Sequence, residues 1–339
     1  MKAALLEQTS QPLVLRDVPI PKISAQEVLV ATRSSGICGT DLHILEGRGY
    51  VPHLPHILGH EPAGVVTAIG EEVSNVKVGD RVVPSLFFTC EQCYYCRVGR
   101  HQQCSRLKGI LGVLSDGAFA EYFKVPARNV FLLPDSVSFD AGGIIADAVV
   151  TVVHAAKRGG LTPGSTAVVI GSGGVGLCLI QVLNGAGIRV AGIDVDAAKL
   201  VLSEKYGAKA AFLAQNAISE VRTWSGEDGV QCVFDCVGTR QSLESACRMV
   251  MSGGRIVVIG EQDEAFSASS TEIAQRELEI IGSRNGTRQD MVEAIRLVER
   301  GMVRPPIAER FPLNEINRAM QRARKGAAGR VIVQVSTES

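Results

Sequence analysis

The sequence carries no excess charge of either sign: 35 Lys and Arg stand against 35 Asp and Glu, a formal net charge of +0 at pH 7. Such balance gives no global electrostatic pull toward nucleic acid or an anionic membrane, and both are excluded as partners. Long hydrophobic runs are missing too. The richest stretches, such as AVVTVVHAA near residue 150, fall short of the ~20 apolar residues that a spanning helix needs. The opening MKAALLEQTSQPLVL has no extended apolar segment followed by a small-residue cleavage site. No secretion signal is therefore expected, and the chain is placed in the cytoplasm. Repeats and low-complexity linkers are absent from the sequence as well.

What is present is ordinary globular composition, 46% hydrophobic and 21% charged, in 339 residues. That length exceeds one compact core and suits two domains. The first 140 or so residues hold short β-type segments (EVLVATRSS, AGVVTAIG, DRVVP) separated by turn signals, the pattern of a β-barrel or sandwich. From about residue 147, six apolar runs alternate with helical stretches: TAVVIG, RVAGIDV, AKAAFLA, VQCVFDCVG, RIVVIG and LEIIGS. Strands alternating with helices predict βαβ units and a doubly wound parallel sheet. The expected fold class is α/β, with a β-rich catalytic domain over 1–146 and 287–339 and a Rossmann domain over 147–286.

The run VVIGSGGVG places Gly171, Gly173 and Gly176 as G-x-G-x-x-G between a strand and a helix, with Gly174 and Val175 inside it. Asp194 closes the next strand, 23 residues after Gly171. This is a dinucleotide fingerprint: the glycines admit a pyrophosphate to a helix N-terminus, and the carboxylate takes the ribose hydroxyls. Asp194 would repel a 2′-phosphate and no arginine follows it in IDVDAAK, so NAD is favoured over NADP. Lys199 is a second candidate for the ribose or phosphate. The competing account is a Rossmann-like fold with a merely structural turn.

The nine cysteines are an odd count in a chain with no secretion signal, pointing to reduced thiols and metal ligands. Cys90, Cys93, Cys96 and Cys104 crowd into CEQCYYCRVGRHQQC, residues 90–104. Four thiolates satisfy tetrahedral zinc and leave no open position, so this site reads as structural. An iron–sulfur cluster and a zinc-ribbon nucleic-acid module are the alternatives. Cys178, Cys232, Cys236 and Cys247 read as small buried hydrophobes.

A second metal site is suggested by SGICGTDLH and ILGHEPAGVV, which offer Cys38, Thr40, Asp41, His43, His60 and Glu61. GHEPAGVVTAIGEEV followed by GDRVV, the four-cysteine lobe and the Rossmann domain, in that order, resemble zinc-containing medium-chain alcohol dehydrogenases over nearly the whole chain. The resemblance implies a GroES-like catalytic domain. It also implies two zinc ions per subunit and reversible hydride transfer between a small-molecule alcohol or carbonyl and NAD. A homodimer or homotetramer, assembled through the edge strand LEIIGS, is implied as well. Cys38 and His60 match the first two catalytic zinc ligands; the third aligned position is Asp147, a departure from the commoner cysteine, with Glu61 as alternate ligand. Thr40 and His43 match a proton relay, and Asp41 a carboxylate that orients His60. Asp41 and Thr40 could equally cap a helix begun at GTDLHIL. Asp235, Val237 and Gly238 fall where adenine and ribose contacts occur, and Arg330 where the pyrophosphate is reached. Carboxylate third ligands occur among polyol dehydrogenases, which makes a sorbitol- or butanediol-type enzyme the alternative within the class. A catalytically idle NAD-binding regulator is the alternative outside it. Tyr50, Leu86, Phe87, Phe88, Leu111 and Leu114 stand as substrate walls or as β-domain core.

Overall fold

A computed structural model of the chain describes residues 1–335 and falls into two compact units. The first comprises Met1–Val150, Gly286–Gly301 and the chain from Ile307; the second comprises Thr151–Asn285 and Met302–Pro306. The cut falls inside the helical run 139–159, a few residues beyond the expected 146/147 boundary, so Asp147 belongs to the first unit. Residues 336–339, included in the expected catalytic domain, lie outside the described residues.

The first unit is built on a seven-stranded sheet around the strand Glu27–Ile37. Its sequence EVLVATRSSGI begins with strict alternation, Val28 and Val30 buried, and then becomes buried on both faces as the helix Phe139–Ile144 packs over it. Glu61–Ile69 pairs antiparallel with it on one side, and Arg330–Gln334 and Tyr122–Pro126 also pair with it. The core gathers Val28, Val30, Val66, Val82, Phe123 and Val125. Leu111 is fully buried in that core with Phe88 packed against it, so these two are β-domain core rather than substrate wall. Leu86 and Phe87 are buried as well, and Leu114 is exposed.

The second unit is a six-stranded parallel sheet, and each of the six apolar runs contributes a strand. Across the sheet they run Ala210–Leu213, Arg189–Asp194, Thr166–Ile170, Val230–Asp235, Val250–Val258 and Glu279–Gly282. Chain order reverses between Thr166–Ile170 and Val230–Asp235, the switch point where doubly wound sheets bind ligands at the strands' carboxyl ends. Val168, Ile193, Val233 and Ile256 are essentially buried here. Each contributes about 1.5–3 kcal/mol by its burial.

One expectation needs correcting. The helical run Phe139–Gly159 is, by length and composition, long and apolar enough to cross a membrane, although it looked too interrupted in sequence. Its apolar window is 72% buried inside the protein, which makes it a core helix.

Candidate active site

Strand register brings the candidate residues to one end of the sheet. Glu61 lies opposite Gly36 on one side of the central strand, and Val331 lies opposite Ile37 on the other. Cys38 leaves that strand, His60 enters the neighbouring one, and Arg330 begins the third, so all three emerge together. Gly36 is needed for close approach: a Cβ there would sit 2.0 Å from Glu61 Oε2. Asp147 arrives from a π-helical turn, Ile145–Val149, inserted in the helical run. Such turns shift the helix register and recur at functional sites.

Ligand atoms of Cys38, His60, Glu61 and Asp147 all lie within 4.8 Å of one another. Cys38 Sγ is 3.4 Å from Asp147 Oδ2, and His60 Nε2 is 3.9 Å from that oxygen. Metal–donor bonds of about 2.0–2.3 Å put tetrahedral donors about 3.3–3.8 Å apart, so this thiol, imidazole and carboxylate fit a zinc ion with little movement. Asp41, fully buried, fixes the imidazole: its Oδ1 is 3.2 Å from His60 Nδ1 and accepts the Gly59 N–H at 3.2 Å. Its Oδ2 accepts the Cys38 N–H at 2.9 Å, capping the helix Gly39–Leu45. Capping and ligand orientation, two roles that the sequence allowed together, coexist in one side chain.

The site crowds buried acidic groups against two positive ones, His60 and Arg330. Burial lowers the basicity of His60, but the Asp41 carboxylate and the Cys38 sulfur outweigh it and hold the imidazole well above its ordinary range. Burial pushes Glu61 up to about 8 against the pull of Arg330, with Asp147 adding to the rise. Asp147 itself is held low: burial opposes ionisation, and the positive His60 and Arg330 overcome it. A bound dication would favour every ionised carboxylate and a neutral, ligating His60.

In the cysteine lobe, Cys93 Sγ lies 3.5 Å from Cys96 Sγ and 3.8 Å from Cys104 Sγ, and Cys90 Sγ is 4.0 Å from Cys96 Sγ. These cysteines are free thiols, and zinc bonds of about 2.3 Å place tetrahedral sulfurs about 3.8 Å apart. The set fits one closed zinc. A multi-iron cluster, whose thiolates bind different irons, would spread the sulfurs farther. Hydrogen bonding from the Cys96 backbone holds the Cys93 thiol down at about 5, while burial pushes Cys96 up to about 12.

The second unit presents the glycine turn. Gly171 has φ of 91°, and an added Cβ would meet Val237 Cγ2 at 2.8 Å. At Gly176 a Cβ would lie 1.8 Å from the Gly171 carbonyl oxygen. Only glycine permits this packing of turn against helix. Gly173 caps the helix Gly174–Gly185, which starts with Gly174, Val175 and Gly176. Asp194 Oδ2 accepts the Ser172 N–H at 2.8 Å, Oδ1 accepts the Asp196 N–H at 3.0 Å, and Lys199 Nζ is 3.7 Å from Oδ1.

Residues 24–135 match the alcohol dehydrogenase GroES-like domain family, and residues 174–300 the zinc-binding dehydrogenase family. The chain is 36% identical to an alcohol dehydrogenase of Geobacillus stearothermophilus over 340 residues, spanning 99% of this chain and 100% of that protein. It is also 36% identical to a sorbitol dehydrogenase of Bacillus subtilis over 83% of this chain and 81% of the relative. The crystal structure of the alcohol dehydrogenase from Aeropyrum pernix superposes with a TM-score of 0.93 at 29% identity, covering 98% of this chain and 100% of that one. The chain belongs to the zinc-containing medium-chain alcohol dehydrogenase family. It is an oxidoreductase acting on alcohols, with the family's GroES-like and Rossmann domains.

Other candidate residues of this dehydrogenase sit as follows. Thr40 and His43 lie on the helix Gly39–Leu45, both half-buried, with Thr40 Oγ1 3.9 Å from Cys38 Sγ. Arg330, expected at the cofactor pyrophosphate, forks onto Glu61 and sets Nη2 3.3 Å from Asp147 Oδ2 and 3.5 Å from Cys38 Sγ. Asp235 is fully buried, its oxygens taken by the Val237 and Gly238 N–H groups and the Ser242 hydroxyl. It shapes the turn that carries Val237, leaving no oxygen free of these local partners. Sequence reasoning missed Gly36 beneath Glu61, and Ser172, whose hydroxyl accepts from buried Ser203 at 2.7 Å and braces the turn. The only sequence signal for Gly36 was its place two residues before Cys38.

Proposed function

We propose that this chain is a zinc- and NAD-dependent dehydrogenase that reversibly oxidises an alcohol to its carbonyl. The observation that carries the reading is the cluster of Cys38, His60, Glu61 and Asp147: with Glu61 paired to Arg330, one thiolate, one imidazole and one carboxylate would hold the metal and leave a fourth position for substrate. Bound zinc supplies Lewis-acid polarisation of the substrate oxygen, and the nicotinamide supplies the hydride acceptor. Asp41 accepts from His60 Nδ1, directing the Nε2 lone pair toward the cluster. Thr40 accepts the alcohol proton at its hydroxyl and passes its own outward, with His43 as terminal base. The turn Gly171, Gly173, Gly174, Val175 and Gly176 admits the pyrophosphate, and Asp194 with Lys199 selects an unphosphorylated ribose. Cys90, Cys93, Cys96 and Cys104 hold a second, structural zinc.

A polyol substrate is the second reading, favoured by the carboxylate at Asp147 and by the sorbitol dehydrogenase relative. The reading includes a homodimer or homotetramer working in the cytoplasm, testable by light scattering and fractionation. A panel of primary, secondary and polyhydroxy alcohols, run with NAD+ and with NADP+ and followed by nicotinamide absorbance, tests the activity. Turnover that needs NAD+ and vanishes in Cys38→Ser is the expected result. Full activity of Cys38→Ser contradicts the zinc assignment, and cofactor binding with no turnover of any alcohol favours the idle regulator.

A further inference from the structure

We infer that Arg330 holds Glu61 off the metal of the Cys38–His60–Asp147 centre and thereby keeps its substrate position open. The inference rests on the zinc reading above and deepens it. Glu61 offers a carboxylate oxygen in the same cluster as the three ligands, within 4.8 Å of each. A fourth anionic protein donor would complete the tetrahedron and exclude substrate, as in closed structural sites. Something must restrain it.

Arg330 is built to do so. Its Nε donates to Glu61 Oε2 at 3.0 Å and its Nη2 donates to Oε1, so both carboxylate oxygens are engaged by one planar fork. The pair is buried, with Arg330 9% and Glu61 0% exposed at the side chain. Strand pairing fixes both ends: Glu61 opens one strand opposite Gly36, and Arg330 precedes Val331, which lies opposite Ile37. The bare Gly36 Cα gives the carboxylate room to lie across the central strand toward Arg330.

The charges agree. When ionised, Cys38, Asp41, Glu61 and Asp147 supply four negative charges around His60, and Arg330 supplies a fixed positive charge that contacts three of them, Cys38, Glu61 and Asp147. Removing one partner of a buried pair leaves the other charge uncompensated, at high cost. With Arg330 neutralised, the nearest compensation for Glu61 is the dication itself. Arg330 is thus a positioning residue acting through Glu61.

The test replaces the metal of this centre with cobalt(II) and titrates imidazole as an exogenous ligand, read by the visible cobalt spectrum. Wild type is expected to bind imidazole saturably. Arg330→Gln is expected to keep its cobalt, show an altered spectrum before imidazole is added, and bind imidazole at least about tenfold more weakly. Arg330→Gln combined with Glu61→Gln should restore wild-type imidazole affinity. If Arg330→Gln does not fold, Arg330→Lys, which keeps the charge and loses the fork, should show an intermediate loss. Wild-type imidazole affinity in the folded Arg330 variant, even with a lowered Tm, overturns the inference and leaves zinc binding standing. No cobalt at this centre in the wild type overturns the zinc reading and the inference together.

Discussion

Asp41 Oδ1 lies 3.2 Å from His60 Nδ1 while Oδ2 accepts the backbone N–H of Cys38, so one buried carboxylate braces two proposed metal ligands from different strands. Substitution should therefore act on metal before it acts on chemistry. Asp41→Ala leaves the Cys38 and Gly59 N–H groups unsatisfied, at about 1–3 kcal/mol each if fully buried. It should weaken metal binding at this centre by about 10–100-fold. Asp41→Asn should lose less, because it keeps an acceptor oxygen. Competition with a chromophoric chelator measures both, and unchanged affinity in Asp41→Ala removes the bracing role.

The cysteine lobe is tied down by charge as well as sulfur. Arg288 forks onto Glu91, with Nη2 2.7 Å from Oε1 and Nη1 3.1 Å from Oε2. Burial raises the Glu91 carboxyl, but hydrogen bonds from Arg288 and Thr89 and the charge of Arg128 outweigh it and hold it at about 2, below its ordinary 4.5. A depressed carboxyl stabilises the fold above its unfolded value, and the contribution is lost as pH falls from about 4.5 through about 2. Arg288→Gln should lower stability most near pH 7, where the ion pair is fully formed, with the difference from wild type shrinking as pH falls toward about 2, and should move the acid unfolding midpoint to higher pH. An acid titration followed by tyrosine fluorescence checks it; an unmoved midpoint contradicts the linkage.

Cofactor choice should follow Asp194. Asp194→Asn removes the charge and keeps one acceptor oxygen, so one of the Ser172 and Asp196 N–H groups loses its side-chain partner. The preference for NAD+ over NADP+ in kcat/KM should fall about tenfold or more, about 1.4 kcal/mol. An unchanged ratio contradicts the ribose role of this carboxylate.

Gly176→Ala forces a Cβ to within 1.8 Å of the Gly171 carbonyl oxygen. The turn must open, so NADH affinity measured by fluorescence should drop at least about tenfold. Metal content should not change, because both proposed metal sites lie in the other compact unit. Unaltered NADH binding would show that the turn does not hold the cofactor.

Much of this was legible in the sequence, for physical reasons. The six parallel strands were readable because a strand covered on both faces becomes a continuous apolar run. Cys90, Cys93, Cys96 and Cys104 were readable because short spacings force convergence. What was not legible depends on register between distant segments. The sequence suggested a cofactor role for Arg330 but not its pairing with Glu61, which depends on Val331 lying opposite Ile37. Gly36 has no local signature, since its role is to leave space for a carboxylate on another strand. Asp147 could be aligned, but the π-helical turn that aims it has no periodicity to read. Leu111 and Phe88 were ambiguous because core and pocket wall share the same chemistry.

The central claim is that two metal centres differ in kind, one closed by four thiolates and one left open by Cys38, His60 and Asp147. Metal analysis of wild type beside Cys38→Ser/His60→Ala, both purified after zinc loading, tests it most directly. The account expects two zinc ions per wild-type chain and one per variant chain, with NADH binding retained in both. One zinc per chain in the wild type, unchanged in the variant, would contradict it.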